Sequence, residues 1–187
     1  MRRLEKAPGP VLEDWYRSLA PAELFLRSLA TGETLREVSL VAVKVRNVEQ
    51  TGRRPDTTGE ETLLRRTVME RWLAAGEAAR AWENAEGAAV FSPLRGGQVA
   101  HYDGAKYLFQ TLWKRVCPGL PLVKPVVWIC MPERTTQVEE RAMVEAGTQA
   151  GARQVLLCRE PLSGLPDAAP EIRELRHGYV LHMEPRD

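Results

Sequence analysis

The sequence predicts a layered α/β domain, in which helices pack against a sheet that contains parallel strands. The strongest observation is a buried-strand pattern at residues 126–131, followed by a helical pattern and a second apolar run at residues 154–158. A strand, a helix and a strand joined by short connections form a parallel pair with a right-handed crossover. A second observation is the valine-rich run at residues 34–45, because valine is enriched in strands. Helices that alternate with strands along a chain are typical of this class.

Two segments near the amino terminus fit more than one secondary structure. Residues 11–19 carry apolar side chains at helical spacing. Residues 22–30 follow Pro21 and precede Gly32. A proline at the start and a glycine just after the end are typical of a helix. Residues 24–29 would also serve as a strand, so the local pattern favours a helix and leaves the strand as the alternative.

The next part of the chain predicts a strand, a loop and a helix. Residues 34–45 form the strand, and residues 49–60 are polar and contain glycine and proline, which indicates a loop. Residues 61–82 predict a helix because apolar side chains recur near one face. These side chains are Leu63, Leu64, Val68, Trp72, Leu73 and Ala79.

An extended segment and a second helix come next. Residues 90–100 read as extended chain around a turn made by Gly96 and Gly97. Residues 103–116 predict a helix with Asp103 as its N-cap and basic residues in its last turn.

The remaining elements belong to the strand–helix–strand unit and to the tail. Thr135 or Thr136 caps a helix that ends near Gly151, and the strand at residues 154–158 follows. Residues 179–183 predict a last strand after a proline-rich connection.

Composition excludes several classes of function. The chain has 187 residues, of which 44% are hydrophobic and 27% charged, and these values are ordinary for a soluble globular protein. A net charge of +1 gives no overall field that would recruit nucleic acid or an anionic membrane. No apolar run reaches the ~20 residues of a membrane-spanning helix, and the first residues lack the apolar core of a secretory signal.

The three cysteines indicate a reducing compartment. Cys117, Cys130 and Cys158 are an odd number without metal-type spacing. Cys130 and Cys158 lie in strand-like apolar runs, which favours buried, reduced thiols. We therefore expect a cytoplasmic protein.

Four sequence blocks follow one another in a recognisable order. Residues 126–160 end in Arg-Glu, directly before a proline, and are the most specific block. Residues 92–103 contain Pro-Leu-Arg-Gly-Gly-Gln-Val-Ala, and the two earlier blocks are residues 32–43 and 76–80. In this order the blocks resemble the bacterial MreB family of actin-like, rod-shape-determining ATPases. Residues 32–43 resemble the family's strand after its first hairpin, residues 76–80 the helix that follows, and residues 92–103 a segment that leads into a helix.

The resemblance implies a ribonuclease-H-like, actin-like fold, in which a layered mixed sheet is flanked by helices. It covers only the part of that fold called subdomain IA, so we expect a single, incomplete actin-type domain. The predicted organisation is an amino-terminal extension at residues 1–20, the subdomain IA-type domain at residues 21–165, and a carboxy-terminal tail with an added strand at residues 166–187.

The resemblance also implies where a nucleotide would bind and which parts are missing. The family's first phosphate loop carries an aspartate and a glycine, whereas the corresponding residues 17–21 contain neither, and Pro21 lacks a backbone N–H. The second phosphate loop would follow the next hairpin, and the sequence given stops at residue 187 before it. We therefore expect no bound cofactor and no metal.

One residue of catalytic type matches the family. Glu160 resembles the glutamate that positions the attacking water. Positioned water accelerates hydrolysis only where a triphosphate and its metal are held beside it. We interpret Glu160 as vestigial, and the alternative is that it caps the following turn.

Other chemical patterns favour structure over catalysis. His177 and His182 are five residues apart, so a shared metal site is not expected on a strand. Ser163 has no histidine base at a recognisable spacing. The five tryptophans predict core packing or, as the alternative, a protein interface, and they are Trp15, Trp72, Trp82, Trp113 and Trp128.

These observations predict a non-catalytic actin-like binding or scaffolding protein that has lost nucleotide binding. It would associate with itself or bind a cytoplasmic protein partner, without nucleic acid and without a transmembrane segment. The alternative is one half of a split actin-like ATPase, completed by a second polypeptide.

Overall fold

A five-stranded mixed sheet lies at the centre of the structure. The computed structural model describes residue 12 and residues 20–53, 61–118, 124–159 and 177–184, with the backbone alone for residues 50–53 and 61–64. Within these residues the elements, in chain order, are β1 (Glu23–Ser28), β2 (Thr34–Val38), β3 (Val41–Arg53), β4 (Glu61–Ala75), a 3₁₀ helix (Gly76–Trp82), β5 (Ala88–Phe91), β6 (Leu94–Arg95), β7 (Gln98–Val99), α1 (Tyr102–Val116), β8 (Val126–Met131), α2 (Gln137–Gln149), β9 (Gln154–Arg159) and β10 (Tyr179–Glu184).

The strand order of the central sheet is β2-β1-β10-β8-β9. β1 is antiparallel to both β2 and β10, whereas β10, β8 and β9 are parallel to one another. The predicted α/β class, with a mixed sheet flanked by helices, is confirmed. The strand expected near the carboxy terminus is also present, and it occupies the middle of the sheet. The domain boundaries stay a prediction.

The two helices and one face of the sheet enclose the main hydrophobic core. Trp113 of α1 is fully buried and its Nε1 donates to the Gly147 carbonyl of α2 at 3.0 Å, which ties the helices together. Gly147 has no room for a side chain, because a Cβ there would lie 2.8 Å from Val155 Cγ2. The buried residues of α1 that complete this face are Ala105, Leu108, Phe109 and Leu112.

The predicted strand–helix–strand unit is confirmed. β8 and β9 are parallel, and Thr136 rather than Thr135 is the N-cap of α2. Thr136 and Glu139 form a capping box, in which each side chain accepts a hydrogen bond from the backbone N–H of the other. The hydrogen bonds from Thr136 to the Glu139 carboxylate lower the pKa of that carboxyl.

The helix predicted at residues 61–82 is wrong. This segment forms the 15-residue strand β4 and then a 3₁₀ helix, and β4 pairs with β3 in a three-stranded sheet of order β4-β3-β5. Register shifts next to Val43 and between Lys44 and Val45 interrupt the alternation of the β3–β4 pair. As a result Met69, Trp72 and Ala75 all pack on the main core at intervals of three, which imitates the spacing of a helix.

The loop predicted at residues 49–60 is also wrong in part, because the long hairpin extends through it. β3 continues to Arg53 and β4 begins at Glu61. The intervening residues 54–60 lie outside the described part of the chain.

The single strand predicted at residues 34–45 is instead two strands in two different sheets. The chain leaves β2 after Val38 and enters β3 at Val41. The buried Ser39 holds this crossing, because its Oγ accepts from the Ala22 N–H at 2.7 Å and lies 2.9 Å from Ser92 Oγ. Valine content alone does not reveal such a crossing, since valine occurs on both sides of it, at Val38 and Val41.

The N-cap predicted for α1 is wrong by two residues. His101, not Asp103, is the cap, and its Nδ1 accepts a hydrogen bond from the Gly104 N–H at 3.0 Å. Asp103 lies in the first turn, where a carboxylate is favourable next to the helix dipole. The imidazole is packed edge-on against Phe91 and Trp72, with ring centroids 5.1 and 6.1 Å away.

The cap predicts how stability depends on pH. Burial lowers the pKa of His101 below its ordinary value of 6.5, although the Asp103 carboxylate opposes the shift. Since the folded-state pKa is the lower one, the contribution is complete above about pH 6.5 and is lost as the pH falls towards the folded value. We expect the free energy of unfolding to decrease over that interval in urea titrations.

A matched variant isolates this effect. His101→Asn keeps an N-cap acceptor and cannot titrate. The free energy of unfolding of the wild type, relative to that of the variant, should be lower at about pH 5.5 than at about pH 7.5. A difference that is constant over this interval would contradict the role of His101.

The remaining expectations have mixed outcomes. Of the segments with two open assignments, residues 23–28 are strand, and residues 13–19 lie outside the described residues, as does Trp15. Trp113 is buried in the core as predicted, whereas Trp82 is 37% exposed. Among the described helices, none is long and apolar enough to cross a membrane.

Candidate functional site at the carboxyl edge of the sheet

Three parallel strands end at one edge of the central sheet. Met131 at the end of β8 is the register partner of Arg159 at the end of β9, and β10 ends beside them at Glu184. The antiparallel strand β1 begins at the same edge with Glu23, which pairs with Glu184. In open α/β sheets, ligands bind where parallel strands end. We call these four residues the carboxyl edge, and it is the candidate site.

The predicted catalytic-type residue follows Arg159 of this edge in sequence. Glu160 lies outside the described residues, so its role stays a prediction. Its neighbour Arg159 is described, and its guanidinium donates to the Glu133 carbonyl at 2.6 Å and lies 3.3 Å from the Glu140 carboxylate. The positive charge nearest to Glu160 in sequence is therefore already held by α2 and by the loop before it.

The carboxyl edge carries carboxylates on the neighbouring strands β1 and β10. The Glu23 carboxylate, which is 12% exposed, accepts from Arg36 at 2.6 Å. Glu184 is 58% exposed, and its carboxylate lies 3.6 Å from His182 Nε2. Arg36 therefore compensates the charge of Glu23, and Glu184 is the more exposed of the two carboxylates.

A glycine turn lies beside the carboxyl edge, and the second of its two glycines is packed on protein. Gly96 and Gly97 join β6 to β7 with φ of 54° and 77°. A Cβ on Gly97 would lie 3.0 Å from Pro132 Cγ and 4.0 Å from Met183 Cε. Because Gly97 has no side chain, Pro132, which follows β8, packs directly against it. The backbone at Gly97 is therefore covered by protein and leaves no space for a phosphate at that position.

The described residues at the carboxyl edge offer few groups of the kinds that hold a nucleotide and magnesium. Magnesium takes carboxylate oxygens, and Glu23 and Glu184 bring two carboxylates to this edge. The described residues contain no group of three or more His, Cys, Asp or Glu that could hold a metal ion. The arginines Arg36 and Arg159 beside this edge are engaged in ion pairs. Residues 17–19, part of the segment that the resemblance matches to the first phosphate loop, lie outside the described residues.

A buried carboxylate that the sequence analysis missed lies at the junction of the two sheets. Glu37 of β2 is 8% exposed and accepts from the backbone N–H of Glu77 at 2.6 Å and of Val38 at 3.2 Å. Its second oxygen forms an ion pair with Arg115 near the end of α1. Glu37 therefore joins β2, the 3₁₀ helix and α1, and no local pattern marks it because its partners are distant in sequence.

A groove runs along the outer side of α2 beside the edge strand β9. Its volume is about 850 Å³, and Val144 and Leu157 provide the apolar part of its surface. Its other lining residues are Gln137, Glu140, Arg141, Glu145, Thr148 and Gln149. The lining thus includes two glutamates of α2, Glu140 and Glu145, beside the cation Arg141.

Comparisons with known proteins point to one family. The family model described as MreB/Mbl protein matches residues 64–176. The chain is 32% identical over 96 residues to the cell shape-determining protein MreB of Escherichia coli K12, which is 51% of this chain and 28% of that protein. It is 28% identical over 102 residues to the cell shape-determining protein Mbl of Bacillus cereus, which is 54% of this chain and 31% of that protein.

The matched segments thus span less than a third of the length of these relatives. Among solved structures, the chain is similar to MreB5 of Spiroplasma citri bound to ADP, with a TM-score of 0.47 and 19% identity. This similarity covers 73% of this chain and 38% of that one.

Proposed function

Because the chain belongs to the MreB/Mbl protein family, as its ordered sequence blocks predict, we propose that it is an actin-like binding or scaffolding module that does not bind nucleotide. The module associates with itself or with a protein partner in the cytoplasm. The observation that carries the proposal is the carboxyl edge, where Glu23 and Glu184 bring two carboxylates and the arginines Arg36 and Arg159 are already engaged in ion pairs.

Electrostatics supports the absence of nucleotide binding. A triphosphate needs backbone N–H groups, cations or a metal to offset its charge. Arg159 is held by Glu140 and by the Glu133 carbonyl, and Arg36 is held by Glu23. If either arginine bound a phosphate instead, its glutamate would lose its ion-pair partner. The cost of breaking the ion pair would therefore offset much of the free energy of phosphate binding.

The groove along α2 supports a binding role. It combines an apolar floor of Val144 and Leu157 with a rim that carries both signs of charge, from Arg141 and Glu145. Concave surfaces with an apolar centre and a polar rim are typical of protein interfaces. β9 beside it is an edge strand of the described sheet, so its outer backbone groups are available to a pairing strand.

Titration calorimetry with ATP and Mg²⁺ tests the first half of the proposal. We expect no binding heat with the isolated chain, because the arginines beside the carboxyl edge are already engaged in ion pairs. Binding in the micromolar range would overturn the proposal. Binding that arises only after a second polypeptide is added would favour the split-ATPase alternative.

Light scattering over a range of protein concentrations tests the second half. We expect a mass above that of the monomer, and we expect the exposed substitution Thr148→Arg in the groove to weaken association about tenfold or more. Val138→Arg is the matched control, since Val138 is 77% exposed on the same helix and does not line the groove. Equal masses for wild type and Thr148→Arg would exclude the groove as the interface.

A further inference from the structure

Two cysteines face each other across neighbouring parallel strands. Cys130 of β8 and Cys158 of β9 are register partners, and their sulfur atoms are 3.2 Å apart. They are 2% and 4% exposed, and no disulfide joins them in this structure. The sequence predicts that each is buried, but only the register of the sheet shows that they meet.

The backbone geometry at this pair is compatible with a disulfide. Neighbouring strands lie about 4.7–4.9 Å apart, and disulfides form at Cα separations of about 4.4–6.8 Å. Both side chains lie on the same face of the sheet, because Ile129 and Leu157, one position earlier on each strand, pack on the opposite core. A bond of about 2.05 Å therefore needs only side-chain rotation and a small approach of the sulfurs.

The burial of the pair leaves each sulfur with the other as its nearest reaction partner. The two cysteines form a small apolar cluster with Val180, and the half-buried Leu29 and Trp128 pack against it. Large reagents have little access to such a cluster, whereas each sulfur has the other within contact distance. Cys117 is not part of this cluster, since its sulfur lies 3.8 Å from the Tyr179 hydroxyl.

We propose that Cys130 and Cys158 are a redox modification site that closes to a disulfide when the chain meets a peroxide. One thiolate attacks an oxygen of hydrogen peroxide, which breaks the O–O bond, gives a sulfenic acid and releases hydroxide, which becomes water with the thiol proton. The second sulfur then attacks the sulfenic sulfur, the S–S bond forms, and a second water leaves. Two thiols lose two electrons in total, and one peroxide gains them.

The disulfide fastens β9, an edge strand, to β8. Glu160 follows Cys158 by two residues, so oxidation fixes the strand from which the family's catalytic-type position emerges. The closed loop contains nearly thirty residues, and cross-linking a loop of this size should raise Tm by at most about 10 °C. In a reducing compartment such a bond is transient, as expected for a sensor.

The test is to treat the purified full chain with hydrogen peroxide, unfold it, and count thiols with an alkylating reagent by intact mass. We expect three alkylated thiols before treatment and one after it, with peptide mapping that joins Cys130 to Cys158. Dithiothreitol should restore all three thiols and the original Tm. Retention of three thiols, or oxidation of each cysteine to separate sulfinic acids, would overturn the proposal.

Two variants and one condition provide the controls. Cys117→Ser should form the same link, whereas Cys158→Ser should not. If Cys158→Ser folds poorly, Cys158→Ala replaces it, and a thermal melt confirms the fold of whichever is used. The same treatment of urea-unfolded wild type should give mixed pairings, and an identical Cys130–Cys158 preference there would show that the folded register does not direct the reaction.

Discussion

Leu181→Ala should lower the free energy of unfolding by about 2–5 kcal/mol. Leu181 is fully buried on β10, where it is the register partner of Leu26 on one side and of Ile129 on the other. In the described sheet, β10 lies between the hairpin β1–β2 and the pair β8–β9, and it is the strand that pairs with both. A cavity at Leu181 therefore weakens the single strand that joins the two halves.

Urea unfolding followed by tryptophan fluorescence measures this effect. Glu184→Ala is the matched control on the same strand, because the Glu184 side chain is 58% exposed, and we expect a change within about 0.5 kcal/mol. If the two variants lose similar stability, β10 contributes little to the central sheet. A decrease in the denaturant slope for Leu181→Ala would indicate instead that β10 unfolds separately from the rest.

The part of the fold that could be predicted is the part with local signals. The unit of β8, α2 and β9 has an apolar strand, a threonine cap and helical spacing within one short segment, and each of these acts over a few residues. The last strand was also predictable as an element. Its place between β1 and β8 was not, because the order of strands depends on contacts between residues far apart in sequence.

The long hairpin shows how a local signal can mislead. Bulges in the pairing of β3 with β4 bring Met69, Trp72 and Ala75 to the same side at intervals of three. A strand with such bulges has the apolar period of a helix. Pairing with β3 overrides the local helical pattern here. This pairing cannot be predicted from residues 61–75 alone.

The candidate site was predictable only in outline. Glu160 could be named from the family resemblance, but the charged residues near the end of β9 could not be predicted. The ion pair of Arg159 with Glu140 depends on how α2 packs beside β9. Glu23 and Glu184 are neighbours because β1 and β10, which are distant in the chain, pair in the sheet. The cysteine pair has the same origin, since residue types predicted burial and only the sheet shows the contact.

Glu37→Ala should lower the free energy of unfolding by roughly 2–4 kcal/mol. The Glu37 carboxylate accepts two backbone N–H groups and pairs with Arg115, and all three donors lose their partner in the variant. The site is also built closely around this side chain. Gly76 has a φ of 73°, and a Cβ there would lie 2.5 Å from Glu37 Cδ.

Arg115→Ala separates the contribution of the ion pair from that of the backbone hydrogen bonds. The Arg115 side chain is 48% exposed, so water can replace it next to a carboxylate that still accepts the N–H groups of Val38 and Glu77. We therefore expect Arg115→Ala to cost less than half of what Glu37→Ala costs in urea unfolding. An equal cost would mean that the ion pair with α1, and not the two backbone hydrogen bonds, supplies most of the stabilisation by Glu37.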